Sequence, residues 1–254
     1  MIFYFTGTGN SLYVAKKIQE VEGGELIDMV KSLNEKNFNY KIENDEKIGF
    51  IFPVYFWGLP TIVSEFMNQL NLKTEKNPFI YTAITCGGHI GNADKDLAKI
   101  LKSKNLKLNS SYSIKMPSNY IMWSDIANKE TIKSIFITTE KEIEKLIKGI
   151  KQMKEGYFGE HGSLAIISPI PYRIYGIYRG TKKFYVTEKC TSCGQCEKIC
   201  PSKAIQIQKG IPEWIKRKCS HCTACINRCP SKAIEYGNST KKRERYVNPY
   251  VKFS

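Results

Sequence analysis

Long apolar runs, acidic residues and histidines are all scarce in this chain. No stretch of its 254 residues approaches the roughly eighteen continuous apolar residues of a membrane-crossing helix, which argues against a helical span. The amino terminus, Met1-Ile2-Phe3-Tyr4-Phe5, runs straight into a glycine loop without the layout of a secretory signal, so a cytoplasmic location is expected. Asp and Glu number 24 against 39 Lys and Arg, a formal charge of +15. The lysines are spread along the whole chain and no nucleic-acid module accompanies them, which argues against nucleic acid as the partner. Acidic redox partner proteins fit the charge better, with docking that weakens as salt rises. Of the 3 histidines, His89 and His161 lie outside any cysteine or carboxylate cluster and read as ordinary loop or surface residues.

Cysteine is plentiful and patterned. Eight of the 9 fall in two runs, Cys190-x-x-Cys193-x-x-Cys196-x-x-x-Cys200-Pro201 and Cys219-x-x-Cys222-x-x-Cys225-x-x-x-Cys229-Pro230. Each position in the first has a counterpart 29 residues on, and both runs end in Cys-Pro-Ser-Lys-Ala-Ile, which marks a duplication. Three cysteines at this spacing on a curled loop reach three corners of one iron–sulfur cubane, and the fourth crosses to the neighbouring cube. Cys190, Cys193, Cys196 and Cys229 are thereby assigned to one [4Fe–4S] cluster, and Cys219, Cys222, Cys225 and Cys200 to the other. Zinc, the rival ligand, is held by paired Cys-x-x-Cys knuckles and leaves the doubled third and fourth positions unexplained. His221 falls inside the second run and is expected in the shell around the sulfurs, while Cys86 remains as a buried thiol. This stretch, about 182–237, resembles the bacterial two-[4Fe–4S] ferredoxins, small α+β domains. Such clusters beside a Lys-, Asn- and Ile-rich composition point to an anaerobe.

Residues 1–155 alternate apolar runs with helical patterns, as in a doubly wound α/β fold. Strands are predicted near 1–6, 25–29, 47–53, 79–86 and 106–116, with helices near 10–21, 60–70, 92–103 and 130–154. A five-stranded parallel sheet in the order 2-1-3-4-5 would place a ligand outside the carboxyl ends of the strands. The first strand exits through Thr6-Gly7-Thr8-Gly9-Asn10-Ser11, where backbone N–H groups, a helix N-terminus and hydroxyls suit a phosphate. Gly7-x-Gly9 followed by Asp28 imitates a dinucleotide fingerprint, but Leu12 stands where close packing wants a third glycine. Terminal monophosphate is therefore favoured over pyrophosphate.

Two further loops follow strand ends. Pro53-Val54-Tyr55-Phe56-Trp57-Gly58 offers three consecutive aromatics for stacking on a flavin ring, with Gly58 expected to let the backbone turn a carbonyl toward it. Thr85-Cys86-Gly87-Gly88, continuing through Gly91 and Asn92, brings backbone to the ring edge. Asn119 and Tyr120, in the segment Met116–Tyr120 after the last strand, are candidate contacts. Together the loops resemble those of flavodoxins and imply FMN. With clusters and FMN aboard, the net charge would fall to about +9 and remain basic.

The chain as a whole is similar to the fused flavodoxin–ferredoxin family, on FTGTGNS, PVYFWGLP, TCGGHIGNA, MPSNY and the doubled cysteine run. The resemblance implies electron transfer between FMN and the two clusters and on to redox partners. A second possibility is a flavin oxidoreductase that reduces a small substrate with electrons supplied through the clusters. No catalytic acid, base or nucleophile is required for the first. Residues 156–181, rich in glycine, proline and aromatics, read as a connector packed at the interface, and 238–254 as a basic, solvated tail.

Lys189, Lys198, Lys203, Lys218, Arg228 and Lys232 lie near the cysteines, and cations there favour the more negative, reduced cluster. Replacing several of them with Glu should move the cluster potentials downward in a redox titration; potentials that stay put contradict this.

Overall fold

Two of the apolar runs are long enough to be buried on both faces, and they form the centre of a parallel sheet. The computed structural model describes residues 1–163 and 169–253, with backbone alone for 169–171. The first half contains, in order, β1 (Ile2–Tyr4), α1 (Asn10–Glu22), β2 (Leu26–Asp28), α2 (Met29–Glu35), β3 (Asn39–Lys41), β4 (Ile48–Pro53) and α3 (Thr61–Gln69). β5 (Asn71–Lys73), β6 (Ile80–Cys86), α4 (Ala93–Ser103), β7 (Ser110–Lys115), α5 (Lys129–Lys151) and β8 (Gly156–Tyr157) follow. The sheet order is β2-β1-β4-β6-β7-β8, parallel throughout, while β3 and β5 form a small parallel pair outside it. The first five strands keep the expected 2-1-3-4-5 order. The sheet has a sixth strand, because Gly156 and Tyr157 pair with Ser110 and Ser111.

Side chains alternate across the central strands with period two. Phe50, Phe52, Ile80 and Ile84 face one core with Phe66 and Met67 of α3 and Leu97 of α4. Ile51, Tyr81 and Ala83 face the other with Val14 and Ile18 of α1 and Ile143, Leu146 and Ile150 of α5. Asp28 caps α2, its carboxylate accepting from the Val30 N–H at 2.7 Å, so the apparent dinucleotide acid is a helix cap.

After α6 (Pro169–Tyr178), the second half holds β9 (Phe184–Val186), α7 (Gln195–Lys198), β10 (Ile205–Gln208), β11 (Ile211–Trp214), α8 (Ala224–Asn227) and β12 (Ile234–Tyr236). β9 pairs antiparallel with β12, and β10 with β11. The duplication repeats in the backbone. Ser192, Gly194 and Lys203 adopt φ of 55°, 71° and 45°, and their counterparts His221, Thr223 and Lys232 adopt 51°, 60° and 50°. A left-handed, β-branched Thr223 where the first run has glycine is a strained choice.

The connector is more structured than its glycines suggest: it contributes β8 and α6, and only 164–168 lie outside the described residues. Tyr172 and Tyr175 of α6 reach the first half, through the Leu59 carbonyl at 2.6 Å and the ring of Phe56 at 5.2 Å. The tail is not a solvated end. Arg245 is 6% exposed against Glu235 at 9%, paired at 2.8 Å, and also donates to the carbonyls of Thr240, Arg243 and Ile234. One long cation satisfying that many buried acceptors holds the chain against the second half.

Glu235→Ala leaves Arg245 charged and enclosed. It should cost about 3–5 kcal/mol in anaerobic denaturation, whereas a loss below about 1 kcal/mol would mark the pair as an ordinary surface bridge.

Candidate functional site

The carboxyl ends of β1, β4, β6 and β7 open into a cleft of about 350 Å³, within the range of small-molecule sites. Thr6, Gly7, Thr8, Asn10 and Ser11 line it from the first loop; Pro53, Val54, Tyr55, Phe56 and Trp57 from the second; Thr85, Cys86, Gly87 and Gly88 from the third. Asn119 and Tyr120 complete this set. Four sequence-selected residues lie elsewhere. Gly9 faces the tail, Gly58 faces the Tyr172 ring, Gly91 lies against the Trp57 backbone, and Asn92 donates its N–H to the Trp57 carbonyl at 2.9 Å. These four shape the loops from behind.

In the first loop Gly9 precedes α1 at φ 103°, and no side chain caps the helix. The N–H groups of its first turn are thereby left for an anion. Thr6 Oγ1 accepts from the Gly9 N–H at 3.0 Å, and Ser11 Oγ shares a hydrogen bond with Thr85 Oγ1 at 2.8 Å. Asn119 Nδ2 donates to Thr8 Oγ1 at 2.5 Å. Among the described residues no lysine or arginine lines the cleft. Hydroxyls, amides and a helix dipole alone suit one terminal phosphate.

The second loop turns differently from expectation. Tyr55 and Gly58 exchange backbone hydrogen bonds of 3.1 and 3.0 Å, and the left-handed residues are Phe56 and Trp57, at φ 49° and 61°. Gly58 is needed for space instead, since a Cβ there would lie 2.3 Å from Cδ2 of Tyr172. Two bulky residues held in this region are strained, and the strain presents their rings to the cleft. Phe56 stacks between Trp123 at 5.6 Å and Tyr175 at 5.2 Å. Burial pushes the Cys86 thiol up to about 12, so it is neutral, and it donates to the Gly88 carbonyl.

Sequence reasoning missed most of the far wall. His89, Met116, Pro117, Ser118, Trp123, Tyr175, Ser220, His221, Cys222 and Thr223 also line the cleft. Residues 116–118 belong to a segment already singled out, but 220–223 come from the second cysteine run and only the fold brings them here. A Cβ on Gly7 would lie 2.3 Å from the Cys222 carbonyl oxygen. His221 is 3% exposed. Its Nε2 donates to the Gly180 carbonyl at 3.0 Å, which leaves Nδ1 to accept from the Tyr120 hydroxyl at 3.1 Å. Burial lowers its pKa and favours that neutral form. His161, expected as a loop or surface residue, lies in a loop and is partly buried between the Gly91 carbonyl at 2.7 Å and Asp94 at 3.4 Å.

The cysteines of the two runs gather in two groups. Cys190, Cys193, Cys196 and Cys229 line one small cavity, which Cys225 also borders. Cys200 lies close enough to Cys219, Cys222 and Cys225 to perturb each of them. Burial pushes Cys219 up to about 12 and Cys222 and Cys196 to about 11, and Cys225 well above its ordinary value. Thiolates so placed need a cationic core beside them. Among the described residues no three His, Cys, Asp or Glu side chains converge on a point suited to a single ion. N–H groups of Ala204 and Ala233 donate to Cys200 and Cys229 Sγ at 3.3 Å each, and that of His221 to Cys219 Sγ at 3.4 Å. Such donors stabilise cluster sulfur.

A family model described as a flavodoxin domain matches residues 1–145, and one described as a 4Fe-4S dicluster domain matches 189–234. No curated protein matches the chain. Among solved structures, the Trp repressor binding protein from Bacillus subtilis is similar at 12% identity, over 58% of this chain and 94% of that one, with a TM-score of 0.39. The first match covers more than half of the chain, and the glycine-rich cleft and doubled cysteines supply the sites that the two domains imply. The chain belongs to the flavodoxin family, fused here to a 4Fe–4S dicluster domain, with FMN and two [4Fe–4S] clusters as its cofactors and a redox role.

Proposed function

We propose that this protein is an electron carrier, passing electrons between FMN and its two clusters and on to redox partner proteins in the cytoplasm. FMN exchanges one or two electrons and each cluster one, so the pairing couples two-electron to one-electron chemistry. The observation that carries the reading is the shared wall. Ser220, His221, Cys222 and Thr223 line the same cleft as the flavodoxin loops.

The ligand sets differ in depth. Cys222 and Cys225 of the second run are buried, whereas Cys193 of the first is exposed. This supports an order in which the cluster of Cys219, Cys222, Cys225 and Cys200 adjoins the flavin and the other faces partners, beside the exposed Lys189 and Lys198. Side chains of this chain do the rest: Phe56 and Trp57 present rings, Thr8 and Ser11 offer hydroxyls to the phosphate, and Tyr175 and Thr223 exclude water. Cover by Tyr175 and residues 220–223 favours a carrier over an enzyme that admits a substrate to the ring. Eight of the nine cysteines are taken by the clusters and Cys86 is left as a buried thiol, which fits a reducing compartment. Among the described residues no helix is long and apolar enough to cross a membrane.

Rapid-mixing reduction under anaerobic conditions tests the order. Cys193→Ser should retain exchange between flavin and the adjoining cluster, and Cys222→Ser should abolish it; exchange that survives Cys222→Ser but not Cys193→Ser reverses the assignment. Gly7→Ala must push the Cys222 carbonyl away. It should cost about 1–3 kcal/mol of stability and slow the exchange, and a variant that melts and transfers like the parent would remove the shared wall as a cause.

A further inference from the structure

The last residues of the chain return from the dicluster half to the outer side of the loop that receives the flavin phosphate. Tyr246 Oη donates to Asn10 Oδ1 at 2.7 Å, and Asn248 Nδ2 donates to the same oxygen at 3.1 Å. The Asn248 N–H donates to the Thr8 carbonyl at 2.8 Å. Gly9 makes room for this strap: a Cβ there would lie 2.6 Å from Cγ2 of Val251 and 2.9 Å from Cβ of Asn248. Tyr246 and Asn248 are 4% and 1% exposed, so the contact is interior.

The other end of the strap is fixed to the second cysteine run. Asn227 of α8, two residues after Cys225, accepts from the Tyr246 N–H at 3.0 Å and donates to the Asn119 carbonyl at 3.1 Å. Asn119 in turn donates to Thr8 Oγ1, and Asn10 Nδ2 donates to the Pro117 carbonyl at 3.0 Å. The Asn10 side chain is thus engaged through both its oxygen and its nitrogen, away from any phosphate.

This arrangement answers a physical conflict. A loop that binds an anion through its own N–H groups must leave them free, so it cannot be stiffened by the usual side-chain cap, and α1 has none. Rigidity has to come from outside. We infer that Tyr246 and Asn248 are positioning residues for the flavin phosphate: by pinning Asn10 and the Thr8 carbonyl they hold the loop in its receiving conformation, so FMN affinity depends on a tail anchored in the dicluster half. The inference rests on the FMN reading of the cleft.

Riboflavin, which lacks the phosphate, provides the discriminating probe. FMN and riboflavin affinities are measured anaerobically by fluorescence quenching on flavin-stripped parent, Tyr246→Phe and Asn248→Ala, with iron and sulfide analysis on each. Tyr246→Phe removes one hydrogen bond and Asn248→Ala two, that to Asn10 and that from the Tyr250 N–H; each should weaken FMN about fivefold to tenfold, with riboflavin affinity and cluster content unchanged. Val247→Ala, which trims an exposed apolar tail side chain between the two network residues, should bind FMN as the parent does. FMN affinity within twofold of the parent in both network variants overturns the inference. Equal weakening of FMN and riboflavin, or flavin loss accompanied by cluster loss, overturns it too, because the network would then only maintain the fold. A parent that binds FMN no better than riboflavin refutes the underlying reading instead.

Discussion

Gly7 has no side chain, and the second cysteine run occupies the space this leaves. Any Cβ at that position would overlap the Cys222 carbonyl, so the phosphate loop and the cluster loop lie backbone to backbone only because the residue is glycine. Much of the architecture maintains this approach. Ile121 and Met122, just beyond the sheet, share a core with Phe184, Cys225, Ile226 and Ile234 of the dicluster half. Arg243 extends from the tail to the Ile121 carbonyl at 2.8 Å and to Asp125 at 3.0 Å. Apolar burial brings the halves together, and directed hydrogen bonds set their register.

Strain and buried polarity concentrate at the same seam. Phe56, Trp57, His221 and Thr223 all adopt left-handed backbone conformations and all line the cleft. Thr223 Oγ1 contacts the Asn119 carbonyl at 3.3 Å and the Cys222 carbonyl at 2.7 Å, so the strained residue bridges flavin loop and cluster loop. Such features persist only where surrounding structure over-determines them. Here a web of Asn10, Asn119, Asn227 and Asn248 does so, and a lost partner would leave a buried amide unsatisfied.

Local pattern and spacing made the two folds legible. The parallel order followed from apolar runs separated by helical periods, and the cysteine spacing announced both cubanes. Three cleft walls were visible because phosphate and ring loops follow strand ends. The fourth wall was not, because Ser220 to Thr223 approach Gly7 only in three dimensions. The space that Gly58 leaves was hidden for a related reason: glycine signals either a left-handed turn or a close neighbour, and here the neighbour is Tyr172, more than a hundred positions away. The tail looked solvated from its run of charge, yet Arg245 found a buried carboxylate and Tyr246 a buried amide, partners that charge patterning does not reveal.

The account is most directly tested by the distance between cofactors in a crystal structure of the anaerobically prepared holoprotein. It predicts the flavin ring against Phe56 and Trp57, with the cluster of Cys219, Cys222, Cys225 and Cys200 as its nearer neighbour across the Ser220–Thr223 wall. A flavin held far from both clusters, or nearer to the cluster of Cys190, Cys193, Cys196 and Cys229, would contradict it.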